Sequence, residues 1–464
     1  MIDISTDLKQ LLTTDQAHYY RIVPKSSTSE EMVFYRDDTL SLNGTVKELE
    51  VVFGKTIRIE PVPKSELDRA LNKFYLKKTQ QHKSELSLSS SNFLNELIQE
   101  AETLKCSDIH LESYEDKCRI RMRLDGKLVE RFIIPKHDYP EFVNKLKIMS
   151  NLDIAEKRLP QDGRIMIKEG GKQFDLRVSV LPTLYGEKVV LRLLSDESSA
   201  LSIEKLGLSG EQKRVYLNSI AKPHGIILIS GPTGSGKTTT LYATLKELND
   251  NMRNILTIED PVEYTLEGIN QVQLKEKIGL DYVAALRTFL RQDPDIIMVG
   301  EIRDLPTAKM AIRAALTGHL VLSTVHTNSA WGIITRMLEM GISPYILADT
   351  INIAIAQRLV RLLCPDCKRP VDLKEVPFDP LSGVTQDFHE PAGCDKCYGT
   401  GYRGRKAIYE MIPVDHQMQK FIKNMEEAPN EEAIEGRIGT LKESAIQLFS
   451  AGETSLEEIL PYLV

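Results

Sequence analysis

Short apolar runs alternate with amphipathic stretches through the middle of the chain, from about residue 201 onward. The runs are rich in Ile, Val and Leu, which is typical of buried strands, whereas the stretches between them repeat their apolar residues at helical spacing. This order predicts a parallel, doubly wound sheet that binds its ligand at the carboxyl ends of the strands. The predicted elements are strands at 226–230, 254–258, 295–299 and 320–325 and helices at 236–248, 281–291 and 305–316.

The stretch from 92 to 195 has a different pattern, because strand-like periodicity follows an initial helix. Between Cys118 and Leu124, apolar residues alternate with arginines, which predicts a half-buried strand. Asp125-Gly126 predicts a hairpin turn after that strand, and Gly170-Gly171 predicts a further turn. The stretch is therefore expected to form an α+β domain with arginine-rich strands.

The two ends of the chain carry weaker patterns. Near the N-terminus, Glu50–Phe53 and Thr56–Ile59 are interpreted as strands, and Ser65–Tyr75 as a helix with Ser65 as its N-cap. Residues 77–91 are polar and rich in Ser and Lys, which indicates a linker. Toward the C-terminus, helices are predicted at 414–424, 431–449 and 455–462.

Composition narrows the class of protein only a little. The chain has 464 residues, 42% of them hydrophobic, and a net charge of −7, which argues against a general nucleic-acid-binding surface. No apolar run approaches the ~18 residues of a membrane span. Because the first residues also lack a basic and then apolar leader, a cytoplasmic location is expected.

The most specific motif lies where the first predicted strand of the sheet passes into a helix. It reads GPTGSGKT, the phosphate-binding loop pattern GxxxxGK[ST]. Its glycines let backbone N–H groups turn toward phosphate oxygens, Lys237 would reach the β- and γ-phosphates, and the Thr238 hydroxyl would bind Mg²⁺. ATP and Mg²⁺ are expected at Gly231, Pro232, Thr233, Gly234, Ser235, Gly236, Lys237, Thr238 and Thr239.

Acidic residues follow the next two predicted strands. Glu259, Asp260 and Glu263 lie in one short stretch, where they could hold Mg²⁺ and orient or deprotonate the attacking water. Because they directly follow an apolar strand, a functional role is favoured over simple solvation. Glu301 follows the third strand in the manner of a Walker B acid, although Gly300 stands where many phosphate-loop enzymes have Asp.

Basic residues near the same sheet are weaker candidates for active-site residues. Arg287 and Arg291 share one face of a predicted helix and could reach into a neighbouring subunit's site. His326 ends the fourth strand and His319 precedes it, and their spacing leaves a structural role and γ-phosphate sensing equally open. The arginines of the preceding domain could clamp phosphates, although solvated strand positions are the more common role of such residues.

Two CxxC pairs follow the predicted sheet, Cys364 with Cys367 and Cys394 with Cys397. Paired knuckles of this type suit a tetrahedral Zn²⁺ bound by four thiolates. Because no His or carboxylate offers an open coordination position, a closed structural zinc site is predicted. The remaining cysteines have no partner pattern, and disulfides are not expected in a cytoplasmic protein.

These motifs together resemble the type II secretion and type IV pilus assembly ATPases, the extension-type members of the secretion ATPase superfamily, over about residues 92–464. Besides the phosphate loop, the four cysteines and the two histidines, the resemblance is carried by SDIHLE at 107–112, RLPQDGR at 158–164, RVS at 177–179, GEK at 186–188, TIEDPVE at 257–263, RQDPDIIMVGEIRD at 291–304 and GYRGR at 401–405.

The resemblance implies an α/β, RecA-like phosphate-loop NTPase core, preceded by an α+β, PAS-like domain and followed by a tetracysteine zinc insert and a helical C-terminal subdomain. The implied domains are a small α/β partner-docking domain at 1–76, a linker at 77–91, an arginine-bearing domain at 92–195, the ATPase core at 196–361, the zinc insert at 362–398 and the helical subdomain at 399–464.

The resemblance also implies a homohexamer that hydrolyses ATP between its protomers and drives the assembly of pilins or pseudopilins. It would act through an inner-membrane platform protein and reach the cytoplasmic face of the inner membrane through such partners. Glu263 would be the water-activating base, Glu301 would hold the metal-bound water, and His319 and His326 would form the His box. The arginines at matching family positions are Arg177, Arg192, Arg287, Arg291, Arg303 and Arg405.

Two other classes of protein remain as alternatives. A nucleic-acid-translocating ATPase could use the zinc knuckle to grip its substrate, but the net charge of −7 and the low aromatic content argue against it. A nucleotide-binding scaffold without hydrolysis is disfavoured by the full set of acids. ATP hydrolysis without binding to nucleic acid is therefore expected.

Overall fold

A computed structural model describes residues 4, 8, 11–28, 30–39, 45–75, 93–169, 172–194, 201–371, 388–424 and 438–463. The predicted linker at 77–91, the predicted turn at 170–171 and part of the predicted helix at 431–449 lie outside these residues. The chain divides into two compact units, one of 1–86, 364–369 and 391–401 and one of 87–363, 370–390 and 402–464. Among the helices described, none is long and apolar enough to cross a membrane.

The N-terminal part of the first unit is a small α/β fold. Its elements are α1 (Thr14–Tyr20), β1 (Ile22–Ser27), β2 (Glu31–Asp37), α2 (Thr45–Phe53), β3 (Thr56–Val62) and α3 (Lys64–Phe74). Strand β2 lies between β1, to which it is antiparallel, and β3, to which it is parallel. The N-cap of α3 is Pro63 rather than the predicted Ser65, since the helix already begins at Lys64 and Ser65 lies in its first turn.

The stretch Glu50–Phe53 is helical, so the prediction of a strand there was wrong. Leu49 and Phe53 are four residues apart and pack into the same apolar core, whereas a strand would place Val51, midway between them, on that same face. Val51 points outward and is 85% exposed. A short apolar run does not by itself distinguish a strand from the buried side of a helix.

The second unit begins with the arginine-bearing domain. Its elements are α4 (Phe93–Thr103), β4 (Asp108–Ser113), β5 (Cys118–Leu124), β6 (Lys127–Ile134), α5 (Tyr139–Met149), β7 (Gln161–Glu169), β8 (Lys172–Thr183) and β9 (Gly186–Leu194). The six strands form one antiparallel sheet in the order β6-β5-β4-β9-β8-β7. Strand β5 alternates buried apolar residues with half-buried arginines, as its sequence pattern predicts.

The rest of the second unit is built on a seven-stranded sheet. Its first elements are α6 (Gly210–Ile220), β10 (Gly225–Ser230), α7 (Lys237–Leu248), β11 (Ile255–Glu259), β12 (Asn270–Gln273), α8 (Tyr282–Phe289), β13 (Ile296–Val299), α9 (Leu305–Leu316) and β14 (Leu320–Val325). The later elements are α10 (Ala330–Glu339), α11 (Pro344–Thr350), β15 (Ile351–Leu363), β16 (Arg369–Pro370), β17 (His389–Glu390), β18 (Tyr402–Pro413), α12 (His416–Lys423), α13 (Leu441–Ser450) and α14 (Leu456–Ile459).

The large sheet has the strand order β12-β11-β13-β14-β10-β15-β18 and is parallel except for the edge pair β15 and β18. The four predicted strands are present within one residue of their expected bounds, which confirms the doubly wound arrangement. Strands β12, β15 and β18 were not predicted. The C-terminal segment expected to be helical from 399 therefore begins with a strand of the ATPase sheet, and its first helix is α12.

Strand β10 is buried along its whole length, and its alternate residues pack on opposite faces of the sheet. Ile226 and Leu228 contact the side that carries α8 to α12, whereas Ile227 and Ile229 contact the side that carries α6 and α7. Full burial of such a side chain contributes about 1.5–3 kcal/mol. Packing from both faces fixes the carboxyl end of β10, where the phosphate loop begins.

Candidate active site

The phosphate loop joins β10 to α7 and lies against β15. Gly231 (φ +152°) and Gly236 (φ +87°) adopt backbone conformations that other residues rarely take. A Cβ atom at Gly231 would lie 2.5 Å from both the Gln357 carbonyl oxygen and Ser235 Oγ, and one at Gly236 would lie 2.8 Å from Gln357 Nε2. Glycine is therefore required at Gly231 by close approach as well as by φ, and at Gly236 chiefly by φ.

Two polar groups of the loop, the buried Ser235 and the half-buried Lys237, are suited to phosphate. Ser235 is 3% exposed, and its Oγ has no hydrogen-bond partner in the part of the chain that the structure describes. Lys237 Nζ donates to the carbonyl oxygens of Gly231 (2.7 Å) and Pro232 (3.0 Å). Burial lowers the pKa of Lys237, and the nearby Glu301 carboxylate opposes that change. Phosphate oxygens would satisfy both groups. The exposed members of the predicted set are Pro232, Thr233, Gly234, Thr238 and Thr239.

The stretch after β11, residues 260–263, is here called the acid loop, and Glu259 directly precedes it. Glu259 is 3% exposed, and its carboxylate accepts hydrogen bonds from the Tyr242 hydroxyl, Thr257 Oγ1 (2.6 Å) and Gln271 Nε2 (3.1 Å). Its oxygens are thus held by protein donors, whereas Asp260 is exposed. Of Glu259 and Asp260, the two acids predicted to bind the cofactor, only Asp260 has an exposed side chain that a cofactor could contact.

Arg177 on β8 reaches the acid loop from the arginine-bearing domain. Its Nη2 donates to the Val262 carbonyl oxygen at 2.8 Å and lies 3.4 Å from the Glu263 carboxylate. The interpretation of Arg177 as a simply solvated strand residue is therefore wrong. Arg192 lies opposite it on β9 and so shares its face of the sheet, but Arg192 pairs with Asp108 at 3.0 Å and is largely exposed.

Glu301 follows β13 and lies between two basic side chains. It accepts hydrogen bonds from Arg303 Nη2 and from His326 Nε2, the latter at 3.0 Å. Burial raises the pKa of Glu301, but the hydrogen bonds and charges of Arg303 and His326 outweigh that effect and hold it below its usual value. The carboxylate is therefore ionised at neutral pH, as a role beside a metal-bound water requires.

His319 is separated from this cluster, so the two histidines of the predicted His box, His319 and His326, do not meet within one protomer. Strand β14 lies between them, and at ~3.3 Å per residue the two histidines are roughly 20 Å apart, at the amino and carboxyl ends of this strand. His319 Nδ1 lies 2.9 Å from the Ala314 carbonyl oxygen and 3.2 Å from Thr317 Oγ1, at the end of α9.

Three further arginines lie at the surface. Arg287 and Arg291 are exposed at the end of α8, where Arg291 Nη1 donates to the Arg287 carbonyl oxygen at 3.1 Å. Arg405 on β18 lies 3.8 Å from Asp125, in the predicted hairpin turn, and the same carboxylate accepts a hydrogen bond from the Gly404 N–H at 2.8 Å. Among the residues described, none of these arginines bonds to the acid loop or to Glu301.

The four cysteines of the first unit form one cluster, with all sulfur atoms within 4.8 Å of one another. Cys364 Sγ lies 3.9 Å from Cys394 Sγ, and Cys367 Sγ lies 3.7 Å from Cys397 Sγ. A tetrahedral Zn²⁺ with bonds of ~2.3 Å requires sulfur atoms about 3.8 Å apart. The N–H groups of Cys394 and Gly401 donate to Cys397 Sγ, as second-shell donors to metal thiolates do. The cluster therefore fits a closed zinc site.

Sequence reasoning missed several polar residues that hold these loops in place. Tyr242 contacts the acid loop from α7, and Gln357 accepts a hydrogen bond from Thr240 Oγ1 at 2.8 Å beside the phosphate loop. Arg358 donates to the carbonyl oxygens of Gln357 and Asn328. Nothing in the local sequence marks them, because their partners come from distant elements and β15 was itself not predicted.

A phosphate loop at the end of a buried parallel strand, acids after the next two strands and an arginine from a second domain define a phosphate-loop ATPase of the secretion type. Residues 84–461 match the family described as Type II/IV secretion system protein. The chain belongs to this family, which confirms the resemblance, the fold class and the expected ATPase activity.

Several characterised proteins are similar to this chain. Type II secretion system protein E of Pseudomonas aeruginosa is 47% identical over 375 residues, covering 79% of this chain and 74% of that protein. The type IV pilus assembly ATPase PilB of Myxococcus xanthus is 39% identical over 494 aligned positions, which cover 99% of this chain and 87% of that protein. The structure of the pilus retraction motor PilT with bound ADP aligns with 79% of this chain and 95% of its own, with 27% identity and a TM-score of 0.56. The structure of the Legionella pneumophila ATPase DotB aligns with 80% of this chain and 95% of its own, with a TM-score of 0.60. Because the identity is 21%, this similarity supports the fold alone.

Proposed function

We propose that this chain hydrolyses ATP as a homohexamer and drives the assembly of a pilus or pseudopilus through an inner-membrane platform protein, from the cytoplasmic side. The contact of Arg177 with the acid loop carries this proposal, because it ties a second domain to the hydrolysis site. Movement of that domain would then be coupled to turnover, as a motor requires. Relatives named for type II secretion and for pilus assembly support the choice of cargo.

The residues around the phosphate loop fit ATP and Mg²⁺. Lys237 and the loop N–H groups would hold the β- and γ-phosphates, and the Thr238 hydroxyl would be a ligand of the metal, which supplies Lewis-acid stabilisation when bound. Glu263 would take a proton from the attacking water. Glu301, kept ionised by Arg303 and His326, would orient the metal-bound water.

Four arginines are proposed to act only in an assembled hexamer. They do not meet the acid loop within one protomer, yet they are exposed and stand at positions that the family resemblance matches. A site between protomers could use them to neutralise phosphate charge. These arginines are Arg192, Arg287, Arg291 and Arg405.

The cargo proposal is tested by asking what stimulates hydrolysis. Phosphate release by the full-length chain is measured alone, with the cytoplasmic part of the platform protein from the same organism, with single-stranded DNA and with RNA. We expect only the platform fragment to increase turnover and native mass spectrometry to show a hexamer. Stimulation by DNA or RNA alone would instead support a nucleic-acid-translocating ATPase.

The cysteine cluster is proposed to hold one structural Zn²⁺ per chain. Replacing Cys394 with Ser is expected to reduce bound zinc from about one ion to nearly none, because a three-thiolate remnant binds far more weakly. Inductively coupled plasma mass spectrometry on the purified protein measures the change. Cys106→Ser is the matched control, since that buried thiol lies outside the cluster and donates to the Asp108 carbonyl oxygen, which a hydroxyl can also do. Full zinc retention in Cys394→Ser would contradict the assignment.

A further inference from the structure

Tyr242 lies on α7, the helix that begins in the phosphate loop, and is fully buried. Its hydroxyl donates to Glu259 and accepts hydrogen bonds from the backbone N–H of Glu263 (3.3 Å) and from Gln271 Nε2 (3.4 Å). Its ring packs edge-on against Tyr264, with 4.5 Å between the ring centroids. One hydroxyl thus connects the phosphate-loop helix to Glu259, just before the acid loop, and to Glu263, the last residue of that loop.

The hydrogen-bonding capacity of this hydroxyl is fully used. A phenolic hydroxyl offers one donor and two acceptor positions, and here each has a partner. Burial and the neighbouring Glu259 raise the pKa of Tyr242, so the hydroxyl keeps the proton that it donates. A saturated buried network of this kind fixes the positions of its members.

Arg177 and Tyr242 hold the same peptide group. The carbonyl oxygen of Val262 and the N–H of Glu263 belong to one planar peptide unit and point in opposite directions. Arg177 donates to the oxygen at 2.8 Å, and the Tyr242 hydroxyl accepts from the N–H. Hydrogen bonds at both polar atoms therefore fix the orientation of this peptide unit. The unit includes the backbone nitrogen of Glu263.

We propose that Tyr242 is a positioning residue for catalysis, which orients the Glu263 carboxylate by fixing the peptide unit that precedes it. One holding group belongs to the phosphate-loop helix and the other to the arginine-bearing domain. Glu263 is aligned only when both are in place, which links nucleotide binding and domain position at one peptide bond. This inference rests on the proposed role of Glu263 as the base.

The proposal is tested by Tyr242→Phe, which keeps the ring and removes the hydroxyl. We expect kcat to fall at least ~10-fold with KM for ATP within about twofold, because misplacing a catalytic group slows chemistry more than binding. An unchanged kcat, or a rise in KM alone, would overturn the proposal. If Glu263→Gln is inactive while Tyr242→Phe is fully active, only the positioning role fails; if both are active, the base assignment fails as well.

Two control variants separate positioning from general loss of stability. Tyr216→Phe removes another buried hydroxyl that bonds to the same helix, at Thr244, but not to the acid loop. Thr257→Val removes a different donor to Glu259 and leaves the peptide unit held. Both are expected to lose much less kcat than Tyr242→Phe at similar thermal stability. Equal losses in all three would assign the effect to stability and reject positioning.

Hydrogen exchange tests the same contact in the unaltered protein, should Tyr242→Phe fail to fold. The Glu263 amide is expected to exchange at least ~10-fold more slowly than an unprotected amide, because its N–H is bonded inside the structure. Mass spectrometry with fragmentation that resolves single amides measures this rate in the full-length chain. Exchange at the unprotected rate would overturn the proposal.

Discussion

Replacing Glu263 with Gln is expected to slow ATP hydrolysis at least ~100-fold while ATP still binds, because an amide cannot accept the proton of the attacking water. The substitution keeps the size of the side chain, and the hydrogen bond from Arg177 to the Val262 carbonyl oxygen does not depend on the Glu263 side chain. Steady-state phosphate release measures the loss, and titration with a fluorescent ATP analogue in the presence of Mg²⁺ measures binding.

The matched control for this variant is Glu267→Gln. Glu267 is exposed and lies shortly beyond the acid loop, so the control removes the same charge from the same region without altering the site. We expect its turnover to stay close to that of the unaltered protein. Near-normal turnover in Glu263→Gln would show that another group takes the proton.

Replacing Arg177 with Ala is expected to reduce turnover at least ~100-fold with little change in thermal stability. The variant loses both the bond to the Val262 carbonyl oxygen and the charge beside Glu263, so the acid loop is released on one side. Arg177→Lys should restore only part of the activity, because an ammonium group on a flexible stem is held in place less firmly than a planar guanidinium. Phosphate release and thermal unfolding are measured on each variant.

Arg131→Ala provides the control for Arg177→Ala within the same domain. Arg131 lies on β6, at the far side of the sheet from β8, and pairs with Glu100. Its loss should leave turnover nearly unchanged. If Arg177→Ala is equally active, the arginine-bearing domain does not act at the hydrolysis site, and the coupling proposed above is rejected.

The features that the sequence predicted well are those determined by neighbouring residues. The phosphate loop depends on a local glycine pattern, and Ile226–Ile229 is apolar at every position because both of its faces are buried. The turn at Asp125-Gly126 and the spacing within each CxxC pair are likewise local. In each case the physical cause lies within a few residues of the motif.

The features that the sequence did not predict depend on which distant residues meet. The sequence around Glu259 predicts a metal or nucleotide ligand. In the structure, Tyr242 and Gln271, from two other elements, donate hydrogen bonds to its carboxylate and enclose it. His319 and His326 are close in sequence, yet the extended strand β14 separates them by its whole length. Only the family resemblance indicated a role for Arg177, because its partner at Val262 comes from another domain.

Among the residues described, hydrogen bonds and ion pairs join the arginine-bearing domain to the ATPase core at Arg177, which contacts the acid loop, and at Asp125, which contacts Gly404 and Arg405. A rigid body that is held at two points retains one rotation, about the line that joins them. Any movement that keeps both contacts is therefore a rocking of the domain about that axis. The direction of the power stroke would then be determined by where these two contacts lie, and moving the Asp125 contact would be expected to change the axis without changing the chemistry.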